Sequence, residues 1–161
     1  MHRMPKSPDA GPRDRVAISN RRARHEYFVL DSYECGIVLV GSEVKSIRDG
    51  RANLSDSYAR IENGEVWLHG MHVSPYPFSR DNPDPDRKRK LLLHRAEIDR
   101  LVGKLNEAGL TLVPLKVYFQ NGVAKVELAV ARGRKHADKR QAIAARDMAR
   151  DAERSLSQRT R

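Results

Sequence analysis

The 161-residue chain reads as mainly β with helices: a small antiparallel barrel with one short and one longer helix, followed by a basic C-terminal tail. Three observations predict this. Two dipeptides, Asn63-Gly64 and Asn121-Gly122, lie between apolar runs and suit the positive φ angles of type I′ hairpin turns. Only the segment after residue 94 keeps a sustained helical period inside the apolar part of the chain. The net charge of +10 gathers at the ends, with seven Lys/Arg against two Asp/Glu in residues 1–24 and ten against four in residues 132–161. Between them the balance is fourteen against fifteen.

Taken in order, the opening MHRMPKSPDAGPRDR has no periodicity and too little apolar content to offset its ordering entropy. Residues 1–19 are therefore expected to form a disordered arm, with a barrel over 20–132 and a tail over 133–161. EYFVL and GIVLV, separated by a polar break that ends at Gly36, predict two strands. Ser42 ahead of Glu43, with Val44 and Ile47 on one face and Gly50 as the stop, predicts a helix of about two turns.

Counting outward from the first turn pairs Ile61 with Val66 and Ala59 with Leu68, and sets Arg60 against Trp67 and Tyr58 against His69 on the outside. Glu62 then opposes Glu65, a small mismatch. Around the second turn Leu115, Val117 and Phe119 face Leu128, Val126 and Ala124, while Lys116 meets Glu127 and Tyr118 meets Lys125 on the other side. PYPFSRDNPDPDRKRK between the hairpins reads as a long exposed loop. Ile98, Leu101, Val102 and Leu105 then predict an amphipathic helix of about four turns, stopped at Gly109. For a basic protein the oligonucleotide-binding barrel is the natural architecture, with a flat α+β sandwich as the alternative.

Composition excludes more than it selects. No run approaches the roughly 18 apolar residues of a spanning helix, and no secretory leader opens the chain, so a cytoplasmic protein with no membrane association is expected. Cys35 is alone and reads as a buried structural cysteine. His69 and His72 point to opposite faces of a strand, and Asp81, Asp84 and Asp86 lack the calcium-loop pattern, so no metal or cofactor is expected. Neither a phosphate-cradling GxxxxGK[ST] loop nor a GxSxG nucleophile elbow is present.

Two cationic clusters remain, Arg21-Arg22-Ala23-Arg24-His25 and Arg87-Lys88-Arg89-Lys90, both at boundaries between irregular chain and apolar elements. Each reads as a solubilising run or as a set of guanidinium and ammonium groups presented to phosphates. Tyr58, Trp67 and Tyr118 add stacking surfaces if exposed. In the tail, Ala144, Met148, Ala152 and Leu156 make a thin apolar stripe among Arg140, Arg146, Arg150 and Arg154. So little burial predicts a segment disordered alone and helical against a surface.

Asn20-Arg21-Arg22-Ala23-Arg24-His25-Glu26-Tyr27-Phe28, Gly41-Ser42-Glu43-Val44-Lys45-Ser46, Asn53-Leu54-Ser55-Asp56-Ser57-Tyr58, Arg89-Lys90-Leu91-Leu92-Leu93-His94 and Asp138-Lys139-Arg140, in this order and spacing, resemble the SsrA-binding protein family, also called small protein B. The resemblance runs from about Asn20 to Leu156. It implies an oligonucleotide-binding-type barrel holding the tRNA-like domain of transfer-messenger RNA through Asn20, Arg22, Arg24, Glu34, Lys45, Arg89, Lys90, Leu93 and His94. It also implies a stalled ribosome as partner, its decoding site occupied by the complex. Gly133, Arg134, Lys135, His136, Asp138, Lys139 and Arg140 would then enter the empty mRNA channel. Elongation factor Tu is a candidate partner through the RNA complex. One departure stands out: Ala137 precedes Asp138 where the family often has an aromatic residue or His, and His136 lies one place earlier, a rotation of about 100° on a helix.

The resulting expectation is a non-enzymatic adaptor of trans-translation. The competing classes are an RNA-modifying or RNA-cleaving enzyme using His25 or His94 with a nearby carboxylate, and a constitutive ribosomal protein.

Overall fold

Both Asn-Gly pairs form the turns their chemistry suits. In the computed structural model, which describes residues 15–107, 109–134, 146, 148–150 and 154, Asn63 and Asn121 have φ of 51° and Gly64 and Gly122 follow at 75° and 76°. The first turn joins β4 (Tyr58–Glu62) to β5 (Glu65–His69) in the register counted from the sequence. The second joins β8 (Leu110–Gln120) to β9 (Val123–Gly133), and the expected pairs hold from Gln120 back to Lys116.

Beyond Lys116 the ladder slips by one. Leu128 pairs with Pro114 rather than Leu115, because a bulge lies between Pro114 and Lys116. The bulge inverts the facing of the strand: Val117 and Phe119 point into the main core, whereas Val113 and Leu115 point outward with Ala129 and Ala131. That outer patch is covered by α1 (Arg21–Glu26), whose Ala23 is buried on it beside Tyr27. A short helix thus sits on the outside of the barrel because the strand beneath it is apolar on both faces.

The two strands expected from EYFVL and GIVLV are a single strand, β2 (Tyr27–Ile37). Its polar centre survives because a bulge between Val29 and Asp31 interrupts the pairing with β9, and Asp31 meets Lys104 there. Val38 and Val40 lie past the strand end, exposed, ahead of α2 (Gly41–Arg48). This helix starts two residues earlier than expected; Ser42 lies inside it, and the Glu43 carboxylate accepts from the Val40 N–H at 3.0 Å.

Four residues assigned to the disordered arm are ordered. Val16–Ser19 form β1, paired with Tyr118, Val117 and Lys116 of β8. The RKRK run is also not all loop, since β7 spans Arg89–Leu92 and pairs with β5 and β2. The amphipathic helix, α3 (Arg95–Leu105), has three turns rather than four; Leu101 is fully buried, and Val102 is exposed. Two short strands, β3 (Ala52–Asn53) and β6 (His72–Val73), pair separately.

Neighbouring strands run β8-β4-β5-β7-β2-β9, and β9 pairs back to β8, which closes the ring into a barrel; β1 attaches to β8 beside β4. Closure removes free sheet edges around the ring. The interior holds Cys35, Leu68, Leu91, Leu112, Val117, Val126 and Leu128, and burial pushes the Cys35 thiol up to about 12, leaving it inert at neutral pH.

Candidate nucleic-acid interface

Nine barrel residues were expected to touch RNA, and the structure divides them into two kinds. Asn20 and Arg89 face inward, at 3% and 0% exposure. The Asn20 side chain caps α1 by accepting from the Ala23 N–H at 3.1 Å and donates to the Pro114 and Leu54 carbonyls at 2.8 and 3.2 Å. Its amide joins α1, the β8 bulge and the segment at Leu54. Arg89 donates to the Glu43 carboxylate at 2.7 Å and to the carbonyls of Met71, Arg87 and Pro85 at 2.8, 3.0 and 3.1 Å. Both side chains are thus turned inward, where they hold the surfaces that neighbouring residues present.

The others are accessible, on separate parts of the barrel. Glu34, Leu93 and His94 line one groove, formed where β2, the end of β7 and the start of α3 meet the β8–β9 turn; Leu92, Val123, Lys125 and Glu97 complete it. Leu92 and Val123 are 51% and 55% exposed, whereas Leu93 is half-buried against the core. The strand alternation of β7 explains this: Arg89 and Leu91 point in, so Lys90 and Leu92 point out. Leu92 is thus a surface residue that the sequence does not announce, because the loop expected there runs to Lys90 and overlaps the start of β7.

Within the groove, Glu34 lies 4.0 Å from Lys125 Nζ. Burial, together with hydrogen bonding to Glu34, pushes the Tyr118 phenol far above its ordinary range, so it remains a donor toward that carboxylate. A carboxylate held this way, flanked by exposed aliphatic side chains, suits a base edge or a ribose hydroxyl rather than a phosphate.

Arg24 lies in a different pocket with Arg21, His25, Arg134 and Arg146, five cationic or protonatable side chains. Arg134, at the root of the tail, stacks over Phe28 at 4.2 Å, and its N–H donates to the Glu26 carbonyl at 2.7 Å. Neither Arg21 nor Arg24 is paired with a carboxylate among the described residues. Such a pocket suits phosphate.

Asn20 and Arg22 border a third pocket, where Arg22 bridges Glu26 at 2.8 Å and Asp56 at 3.0 Å. Lys45 lies over the Tyr76 ring at 5.4 Å, and Lys90 is bound to Glu65 at 3.0 Å. Gly133 ends β9; Lys135, His136, Asp138, Lys139 and Arg140 lie outside the described residues.

The expected stacking aromatics are mostly occupied. Trp67 lies under Lys88 at 4.6 Å, Tyr118 under Lys116 at 5.4 Å, and Tyr58 stacks on His69 at 5.4 Å between centroids. No imidazole of the rival enzymatic reading touches a carboxylate among the described residues: His25 lies 3.4 Å from Arg146, and His94 caps α3 through its backbone. His69 and His72 bond Glu62 and Asp86 separately, and no metal-ligating cluster occurs among the described residues. No described helix is long and apolar enough to cross a membrane.

A closed antiparallel barrel carrying a groove lined by a carboxylate and leucines and a separate cationic pocket defines an oligonucleotide-binding-type protein. Residues 17–158 match the family model described as SmpB protein. The chain therefore belongs to the SmpB family. It is 58% identical over 151 residues to the SsrA-binding protein of Moorella thermoacetica, covering 92% of this chain and 97% of that one. Against the SsrA-binding protein of Desulfitobacterium hafniense strain DSM 10664 / DCB-2, identity is 59% over 141 residues, covering 87% and 90%. A solved chain described under "tmRNA-SmpB: a journey to the center of the bacterial ribosome" is 50% identical, with a TM-score of 0.64 over 78% of this chain and 93% of that one.

Proposed function

We infer that the protein is a non-enzymatic RNA-binding adaptor of trans-translation. It binds the tRNA-like domain of transfer-messenger RNA, delivers it to stalled ribosomes, and senses the empty mRNA channel with its C-terminal tail, so that peptide tagging and ribosome rescue follow. The observation that carries this reading is the family match across both barrel and tail, at residues 17–158. Elongation factor Tu meets the adaptor through the RNA complex, in the cytoplasm where ribosomes work.

Within this reading the barrel recognises RNA in two ways. Glu34 accepts from a base edge or 2′-hydroxyl, while Leu92, Leu93 and His94 pack against a splayed base. Arg22, Arg24, Lys45 and Lys90 supply positive charge toward the backbone. Asn20 and Arg89 support these groups from inside. The tail, from Gly133 through Arg134, Lys135, His136, Asp138, Lys139 and Arg140 to the C-terminus, contacts ribosomal RNA.

A deletion of residues 133–161 tests the division of labour. Binding of the truncated chain to tRNA-like RNA is expected to stay within a few-fold of wild type, while peptide tagging in a stalled translation reaction is lost. Joint loss of both activities sinks the two-part mechanism, and cleavage or modification of the RNA by purified protein sinks the adaptor reading itself.

A further inference from the structure

The most exposed large apolar side chain among the described residues belongs to none of the surfaces above. Phe78, on the loop between β6 and β7, is 87% exposed. Its ring meets Tyr76 edge to face, with centroids 5.5 Å apart and planes at 67°, and Lys45 lies over the Tyr76 ring. The three side chains make a cation-flanked aromatic corner at the start of the loop.

The loop holds this corner firmly. The Tyr76 N–H donates to Asn82 Oδ1 at 2.9 Å, and Asn82 Nδ2 donates to the Tyr76 and Ser79 carbonyls at 3.2 and 3.1 Å. Ser79 N–H closes a turn onto the Tyr76 carbonyl at 3.1 Å. The flanks are fixed by Ser74 N–H to Arg51 O and Val73 N–H to Pro85 O, both 3.0 Å. An aromatic ring displayed on a clamped, proline-rich turn loses little freedom when a planar ligand lands on it.

We propose that the Phe78–Tyr76 corner is a stacking site for an unpaired RNA base, separate from the Glu34 groove. The charge around it selects a base over other ligands. Asp81, Asp84 and Asp86 on the same loop disfavour a phosphate against Phe78, whereas its π-face is indifferent to charge, and Lys45, over the neighbouring Tyr76 ring, is left for the backbone beside the stacked base. A protein anchor would need a water-excluding apolar surround, and Phe78 is instead 87% exposed on a loop that carries Arg80, Asp81, Asp84 and Asp86. The proposal rests on the adaptor reading for the identity of the RNA.

The test uses full-length protein and a transcript of the tRNA-like domain, with affinity measured across a salt series. Phe78→Ala is expected to weaken binding by roughly five- to a hundred-fold, the span of one lost base–aromatic stack. Phe78→Trp is expected to restore it, and Phe78→Leu not. The salt slope stays unchanged, because stacking releases no counterions. Wild-type affinity in Phe78→Ala, full rescue by Leu, or a smaller slope overturns the stacking site while leaving the adaptor reading intact. Failure of the wild-type chain to bind the transcript overturns the adaptor reading, and this site with it.

Discussion

Glu43 is 2% exposed and accepts from two arginines, Arg87 and Arg89, as well as from the Val40 N–H. Burial alone pushes its carboxyl up; hydrogen bonds from Arg87, Val40 and Arg89 outweigh that and hold it below the ordinary range. Glu43→Gln leaves Arg89 buried without its counter-charge, so urea unfolding at pH 7 is expected to show a loss of about 3–5 kcal/mol. The sign with pH follows: a carboxyl whose folded pKa is depressed stabilises above its unfolded pKa and loses that contribution as pH falls through the folded value. The gap between wild type and Glu43→Gln is therefore expected to be full above the ordinary carboxylate range and to shrink in acid, and a pH-independent gap contradicts the assignment. The family resemblance implies an RNA contact for Arg89, and nothing in a basic run shows a partner 46 residues away. Glu34 and His94, by contrast, are exposed, while Leu92 becomes legible only with the start of β7.

At the level of elements, whatever depends on a local turn was readable. The β4–β5 register follows from Asn63-Gly64 alone, and the upper half of β8–β9 from Asn121-Gly122. The bulges at Leu30 and Leu115 were not, because they answer to partners distant in sequence: Asp31 meets Lys104, and Val113 and Leu115 turn outward under Ala23. β1 was missed for a related reason, since VAIS is too short to announce itself and gains its place only by pairing with β8. The turn from β5 to β6 carries a sharper constraint. Gly70 has φ of 77°, and a Cβ there would lie 2.5 Å from the Asp56 carbonyl oxygen, which is backbone and cannot swing away. Gly70→Ala is expected to cost more than the roughly 1–3 kcal/mol of positive-φ strain alone, read as a lower denaturation midpoint at unchanged slope.

For the whole molecule, the charge split separates two jobs that a net charge of +10 conceals. Among the described residues many barrel cations are engaged by carboxylates, Arg22, Arg87, Lys88, Arg89, Lys90, Lys104, Lys116 and Lys125 among them. Arg21 and Arg24 are not so engaged, and they share a pocket with the root of the tail at Arg134. Affinity for tRNA-like RNA is expected to fall steeply with salt, and Arg24→Gln to flatten the log–log slope by about 0.7–0.9, one phosphate's worth of released counterions. An unchanged slope removes Arg24 from the phosphate contacts.

The alternation along β7 has an evolutionary side. Of the cations in Arg87-Lys88-Arg89-Lys90, Arg87 and Arg89 converge on a single buried carboxylate, whereas Lys88 and Lys90 reach exposed or half-exposed ones on β4 and β5. A change at position 88 or 90 leaves an accessible carboxylate, Glu62 or Glu65, that water can solvate. Position 89 is bounded by position 43, so a lineage can abandon that guanidinium only by changing both sites together, through an intermediate that carries an unpaired charge in its interior. Four consecutive cations that look interchangeable thus answer to different partners, two to one buried carboxylate and two to separate accessible ones.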